Sequence, residues 1–206
     1  MPLSTKLARI IEVAAREEGI IELPRGSHSN RSPRIDEYRP EWRRSELFAA
    51  DKKAGRIVSA EAWCAWFATW CWHEALLMHP FDRQIGGCFE LARSAYARGR
   101  WFDLGATRGS GVLVGPYPGA VFVRLEKPFE KGQSEGHTGI ITGVSENGWT
   151  VSTIEGNSGD GVRAGKRDLT DPLIRGLALP LGLDPSVEDW PRGLLSSADL
   201  ASLGTR

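Results

Sequence analysis

The sequence predicts an α+β domain with helices packed on an antiparallel β-sheet, an expectation that rests on three observations. Before Gly105 the apolar residues recur at helical spacing; after it, short β-branched runs alternate with glycines and prolines. The two patterns are segregated along the chain rather than interleaved, which favours α+β over a parallel α/β arrangement. Between two of the later runs, the segment SENGW carries an Asn-Gly pair, a strong signal for a tight hairpin.

Each element has its own reason. Leu7, Ile10, Ile11 and Ala14 line one helical face and Gly19 supplies a stop, predicting a helix over 4–18. The polar, turn-rich stretch ELPRGSHSNRSPRIDEYRP reads as an ordered loop or irregular connection. A charged helix follows over Glu41–Lys53, ending at Gly55. The densest apolar stretch runs from Ser59 to Leu77, and Ser59 with Glu61 behind it offers a cap, so a helix should start there or a few residues later. A further helix is expected over Cys88–Arg98, closed by Gly99. Strands are expected at Ala120–Leu125, His137–Val144, Trp149–Ile154 and Leu177–Leu181. The remainder, rich in Pro, Ser and Gly from Asp184, reads as a loosely packed tail. The expected division is a catalytic domain over 1–182 and a tail over 183–206.

Composition narrows the function. The chain has 206 residues, 41% hydrophobic and 25% charged, typical of an ordinary globular domain. Lys+Arg and Asp+Glu both number 26, so no overall field favours nucleic acid or an anionic membrane. Eight tryptophans are many for this length; most should pack in the core, although such rings also form cleft floors. Polar residues break every apolar run near the amino terminus, which predicts no signal peptide, synthesis in the cytoplasm and no membrane insertion. Three cysteines leave at least one outside any internal disulfide, as suits a reducing compartment.

Cys64 sits in EAWCAWFATWCW, near the expected start of the central helix. There the unpaired amides and the positive end of the helix dipole favour a thiolate, the form that acts as a nucleophile. A lone cysteine in an apolar helix is more often a small buried hydrophobe. That plain role is the expectation for Cys71, two turns further on, and for Cys88, which has no evident partner. Among the four histidines, His137 opens the β-branched run HTGIITGV. A histidine at a strand start, remote in sequence, is the kind of base a cysteine hydrolase uses, because the pair meets only in the fold. In TIEGN, an extended backbone would project Glu155 and Asn157 to one face, where either could orient the imidazole. Charge favours Glu155. A metal site built from Cys64, Cys71, His73 and Cys88 is disfavoured, since residues two apart on a helix point away from each other. No cofactor is expected.

Taken together, AWCAWFATW, GHTGIITGV and TIEGN resemble, in that order, the CHAP family of cysteine, histidine-dependent amidohydrolases and peptidases. The positions that carry the resemblance are Trp63-Cys64, His137-x-Gly139 and Glu155-x-Asn157. SNRSPRIDEY is similar to a segment ahead of the cysteine in one branch of the family, and PYPGAVFV to its Pro-Gly-Asp strand; the likeness runs over about residues 5–181. The resemblance implies a papain-like domain and catalysis by Cys64, His137, Glu155 and Asn157 through a thioester. It implies bacterial peptidoglycan as substrate, cut by amidase or endopeptidase chemistry after release of the phage-lysin or secretion-system kind. The contrasting expectation is a catalytically inactive wall-binding or phage structural module on the same fold. Asn30 and Tyr38 are candidate side-chain oxyanion donors only by position in the family-like segment. Two departures stand out: Ala120 replaces the usual Asp, and Glu41–Val58 is longer than the common pattern and should reshape one cleft wall.

Overall fold

The computed structural model describes residues 3–78, 81, 83–105, 108, 118–127, 135–146 and 148–179. Among the described residues, five named helices precede a six-stranded antiparallel sheet: α1 (Leu3–Arg16), α2 (Pro33–Glu37), α3 (Glu41–Ala54), α4 (Cys64–Leu76), α5 (Cys88–Ala97), then β1 (Trp101–Asp103), β2 (Val121–Leu125), β3 (Gly136–Val144), β4 (Thr150–Glu155), β5 (Arg163–Asp168) and β6 (Ile174–Ala178). The strand order is β1-β6-β2-β3-β4-β5, and every neighbouring pair is antiparallel. The expected α+β class is the observed one. The expected tail, 183–206, lies outside the described residues.

The alternation of strand side chains builds two apolar layers from one sheet. Val121, Val123, Leu125, Ile140 and Ile154 join the core beneath α1, α4 and α5. Phe122, Ile141, Val151 and Leu177 fall on the opposite face and form a second cluster with Phe102, Leu169 and Leu179. Helix α4 is buried nearly all round, which explains a sequence without an amphipathic stripe. Around it, the Tyr38 ring packs against Trp63, Phe67 and Trp70 with centroids 5.6, 5.2 and 5.0 Å away. Trp63, Trp66, Trp70, Trp72 and Trp101 are buried, whereas Trp42 is 60% exposed.

Several expectations shift. Ser59 does not cap α4; the helix begins at Cys64, with Trp63 in the capping position and no side-chain cap. The turn-rich stretch before α3 contains a short helix, α2, capped by Ser32, whose oxygen accepts from the Ile35 amide. Strands β1 and β5 were not expected. Strand β5 reads RAGKRD and lacks an apolar period because it is the sheet's edge; its order comes from a six-residue ladder with β4. The last strand, β6, begins earlier than expected, and positions 180 and 181 lie outside the described residues. The β3–β4 hairpin is present, closed by hydrogen bonds from the Ser145 amide to Thr150 and from the Gly148 amide to Ser145; Asn147 lies outside the described residues. Among the described residues, no helix is long and apolar enough to cross a membrane.

Candidate active site

Two helix starts and one strand start converge on a single sulfur atom. Cys64 is the first residue of α4, and Cys88 is the first residue of α5. Their sulfurs lie 3.5 Å apart. Gly86 makes this approach possible: a Cβ there would fall 2.2 Å from the Trp66 indole, so only a bare backbone can lie on that ring. Gly136, at the start of β3, is just as tightly held, and a Cβ there would meet the Arg124 carbonyl oxygen at 2.2 Å and the Cys88 Cβ at 3.2 Å. The next residue, His137, lies close enough to Cys64 for the two groups to shift one another's titration.

His137 and Glu155 meet across β3 and β4, with Nε2 and Oε2 2.8 Å apart. This leaves Nδ1 as the ring nitrogen available to the thiol. The geometry depends on Gly139, where a Cβ would approach Glu155 Cγ to 2.5 Å and Phe122 Cε1 to 3.0 Å. Glu155 is 1% exposed and is held from three further directions. The Thr153 hydroxyl donates to its Oε1 at 2.6 Å, Arg167 Nε donates to the same oxygen at 2.8 Å, and Arg167 Nη2 donates to Oε2. The Arg167 guanidinium also lies 5.6 Å from the centroid of the Phe122 ring. Such a fork fixes both oxygens of the carboxylate in one plane.

Charge follows from these contacts. Burial alone would raise the Glu155 carboxyl, but hydrogen bonds from His137, Arg167 and Thr153 bring it down to about 2. Burial alone would depress His137; its contacts with Cys64 and Glu155 outweigh this and push it up to about 9. The Cys88 thiol, donating to Cys64, is the largest influence holding Cys64 well below its ordinary value; burial opposes it, and His137 and the Thr138 amide add to it. Cys88 is held well above its ordinary value by the same hydrogen bond and by burial. Cys71 is likewise raised, chiefly by burial. The site thus favours a Cys64 thiolate beside a His137 imidazolium. Each helix terminus stabilises a negative charge by about 0.3–1 kcal/mol. A unit positive charge about 4 Å away contributes about 4 kcal/mol at an effective dielectric of about 20, so the imidazolium outweighs either helix end.

Of the residues singled out in the sequence, Cys64, His137 and Glu155 come together. Asn157 does not extend β4 as expected. The strand ends at Glu155, Gly156 packs against Phe67 and Trp63, and Asn157 enters a turn with a left-handed backbone, φ 58°. Tyr38 is corrected as an oxyanion donor, because its ring is buried and its hydroxyl donates to Glu17 at 2.8 Å. Asn30 is also engaged elsewhere, its side-chain amide donating to the Ala60 carbonyl at 2.9 Å. Cys88, expected to lack a relevant partner, lies against the candidate nucleophile. Arg167 and Thr153 had no motif to announce them. Among the described residues, no cluster of His, Cys, Asp and Glu is placed to hold a metal ion.

A groove of about 950 Å³ opens over the thiol, with Trp42, Glu61, Trp66 and Glu90 along its walls. The long Glu41–Val58 segment supplies one wall through α3. Trp42 stands edge-on to Trp66 at 6.5 Å, and the Trp66 indole donates to Glu61 at 3.0 Å. Glu61 is braced in turn by Arg43 and Arg39. The model of the CHAP domain matches residues 56–157, from just ahead of the thiol to Asn157. Residues 56–157 are a CHAP domain. Such a domain is of the peptidoglycan hydrolase-like amidase and peptidase kind. No curated protein and no solved structure matches the chain. Arg167 and β6, which lies between β1 and β2, fall outside the matched segment.

Proposed function

We propose that this CHAP protein is a cysteine-dependent peptidoglycan hydrolase that cuts an amide bond through a thioester intermediate. The observation that carries the proposal is the meeting of Cys64, half-buried His137 and buried Glu155, with Cys64 lining an open groove. In this reading the Cys64 thiolate attacks the amide carbonyl carbon. The oxyanion faces the start of α4, whose first amides lack intrahelical acceptors, and the Cys64 amide is the nearest donor. His137 holds the thiol proton and delivers it to the departing amine, so a neutral product leaves. The imidazole, now neutral, takes a proton from water, which attacks the thioester and frees the thiol. Glu155 keeps the ring in register and stabilises its charged form. Asn157 serves the site through the turn that ends β4.

The substrate side rests on family membership together with the shape of the groove. Its exposed tryptophan and carboxylates suit an amide flanked by sugar and peptide, as at an N-acetylmuramoyl-L-alanine linkage or within a stem peptide. Residues 1–182 form the catalytic unit and 183–206 an appended tail. The division is supported by β5 and β6 being integral to the sheet although they lie past the family match. Action on the wall after phage-type or secretion-system release fits such a unit.

The test compares wild type with Cys64→Ala on purified peptidoglycan, read by turbidity loss and by mass spectrometry of the released fragments. Wild type should release fragments with one new amine and one new carboxylate per cut, and Cys64→Ala should release none. A folded Cys64→Ala protein that clears the suspension at the wild-type rate overturns the assignment.

A further inference from the structure

The hydrolytic cycle uses one thiol, yet the site holds two. Cys88 is buried, shares the groove lining with Cys64 and presents its sulfur 3.5 Å from the nucleophile. Both residues open helices, so two positive helix ends meet at the pair. The glycines at 86 and 136 are what allow this approach, since a Cβ at either would strike the Trp66 indole or the Arg124 carbonyl. A small apolar residue at 88 would fill the same space without a second sulfur.

From this juxtaposition we infer that Cys64 and Cys88 form a reversible oxidation site, in which peroxide converts the nucleophile into an intramolecular disulfide. The inference builds on the assignment of Cys64 as nucleophile. In the first step the Cys64 thiolate attacks one peroxide oxygen. The O–O bond breaks, sulfur loses two electrons, and with one proton the products are Cys64 sulfenic acid and an alcohol, or water from hydrogen peroxide. In the second step the Cys88 thiol, losing its proton, attacks the sulfenic sulfur. The S–S bond forms, the S–O bond breaks and water departs. A disulfide needs sulfurs about 2.05 Å apart, so the pair must close by roughly 1.5 Å, a distance within reach of side-chain rotation. Two equivalents of an external thiol return both cysteines to the reduced state.

Two consequences follow. The oxidised protein has no free nucleophile, so wall hydrolysis stops while the chain is in an oxidising setting. The nucleophile is also protected, because a sulfenate captured by Cys88 does not proceed to sulfinic acid, which thiols cannot reverse. Cys71 takes no part; it is wholly buried further along α4.

The experiment uses reduced full-length protein treated with hydrogen peroxide, then with dithiothreitol. Intact mass, peptide mapping and wall hydrolysis are followed, each rate normalised to that variant's untreated rate. Wild type should lose the mass of two hydrogens, yield a Cys64–Cys88 cross-linked peptide, lose activity and regain it on reduction. Cys88→Ser should lose activity under peroxide without recovery, its Cys64 peptide carrying two added oxygens. Cys88→Ala, with circular dichroism as the check on folding, should behave like Cys88→Ser. Peroxide-treated wild type with no Cys64–Cys88 peptide, or variants that recover as fully as wild type, overturn the inference. The cross-link is read on the protein itself, so its formation in a chain that cuts no peptidoglycan would sink the hydrolase reading and leave the oxidation site standing.

Discussion

Glu155 is the residue on which the site's electrostatics turn. Its carboxylate holds His137 on one side and is gripped by Arg167 and Thr153 on the other. An amide of the same shape could still accept a hydrogen bond, but it could not stabilise the imidazolium that the proposed reaction needs. Glu155→Gln should therefore keep its fold and lower kcat by about ten- to ten-thousand-fold, in the range of acid–base and ring-orienting groups. Asn157→Ala should cost less, because Asn157 stands in the turn with a left-handed backbone. The measurement is kcat for both variants on one defined muropeptide, with circular dichroism as control. A fully active Glu155→Gln beside a folded, dead Asn157→Ala would reverse the two roles. At this scale the sequence was legible where chemistry demands a residue type. The cysteine at a helix start, the histidine at a strand start and the carboxylate after it all announced themselves. Cys88 did not, because nothing local to it reveals that Gly86 lies flat on Trp66 and brings α5 against α4.

The elements show why His-x-Gly is a structural requirement as well as a motif. Along β3, side chains alternate between faces, so His137 and Gly139 share one face, and Glu155 on β4 fills the space that Gly139 leaves open. Gly139→Ala would place a methyl 2.5 Å from Glu155 Cγ and 3.1 Å from the Ile154 carbonyl oxygen. Because one of those neighbours is backbone, the crowding cannot be relieved by a rotamer change alone. We expect a stability loss of about 1–3 kcal/mol. Displacement of Glu155 should add a fall in kcat, by about tenfold or more. Thermal unfolding and the muropeptide assay check both, and a variant with wild-type kcat would show that Glu155 tolerates displacement. The long, periodic helices and the hairpin were legible because their signals are local. Strand β5 was hidden, since an edge strand bearing Arg163, Lys166 and Arg167 has no apolar alternation. Arg167 was hidden with it. Its role exists only once the six-residue ladder with β4 sets it beside Glu155.

Among the described residues, several buried or half-buried carboxylates are neutralised by arginine, and three illustrate the pattern. Glu155 meets Arg167 in the sheet, Glu61 meets Arg43 and Arg39 at the groove wall, and Glu17 meets Arg34 between α1 and α2. Burial works against charge at all three, yet hydrogen bonds hold Glu61 and Glu155 down to about 2 and also lower Glu17. A carboxyl depressed in the fold contributes stability that is present above its ordinary value of 4.5 and is lost as pH falls towards 2. His137 acts with the opposite sign. It is raised from 6.5 to about 9, so its contribution is complete below 6.5 and disappears as pH rises through about 9. Cys64, held well below its ordinary value of 9.0, offsets that loss, because relative to the unfolded chain the folded site gives up one proton at Cys64 for the one it holds on His137. The melting temperature should therefore be flat from about pH 5 to about pH 9 and fall steeply in acid with uptake of more than one proton. Scanning calorimetry across this range checks the shape. Glu155→Gln separates the parts: it should shallow the acid limb while leaving the share due to Glu61 and Glu17. An acid limb unchanged in Glu155→Gln would mean that the Glu155 carboxylate adds nothing to the folded state's charge balance. Its clamp by Arg167 would then serve position alone.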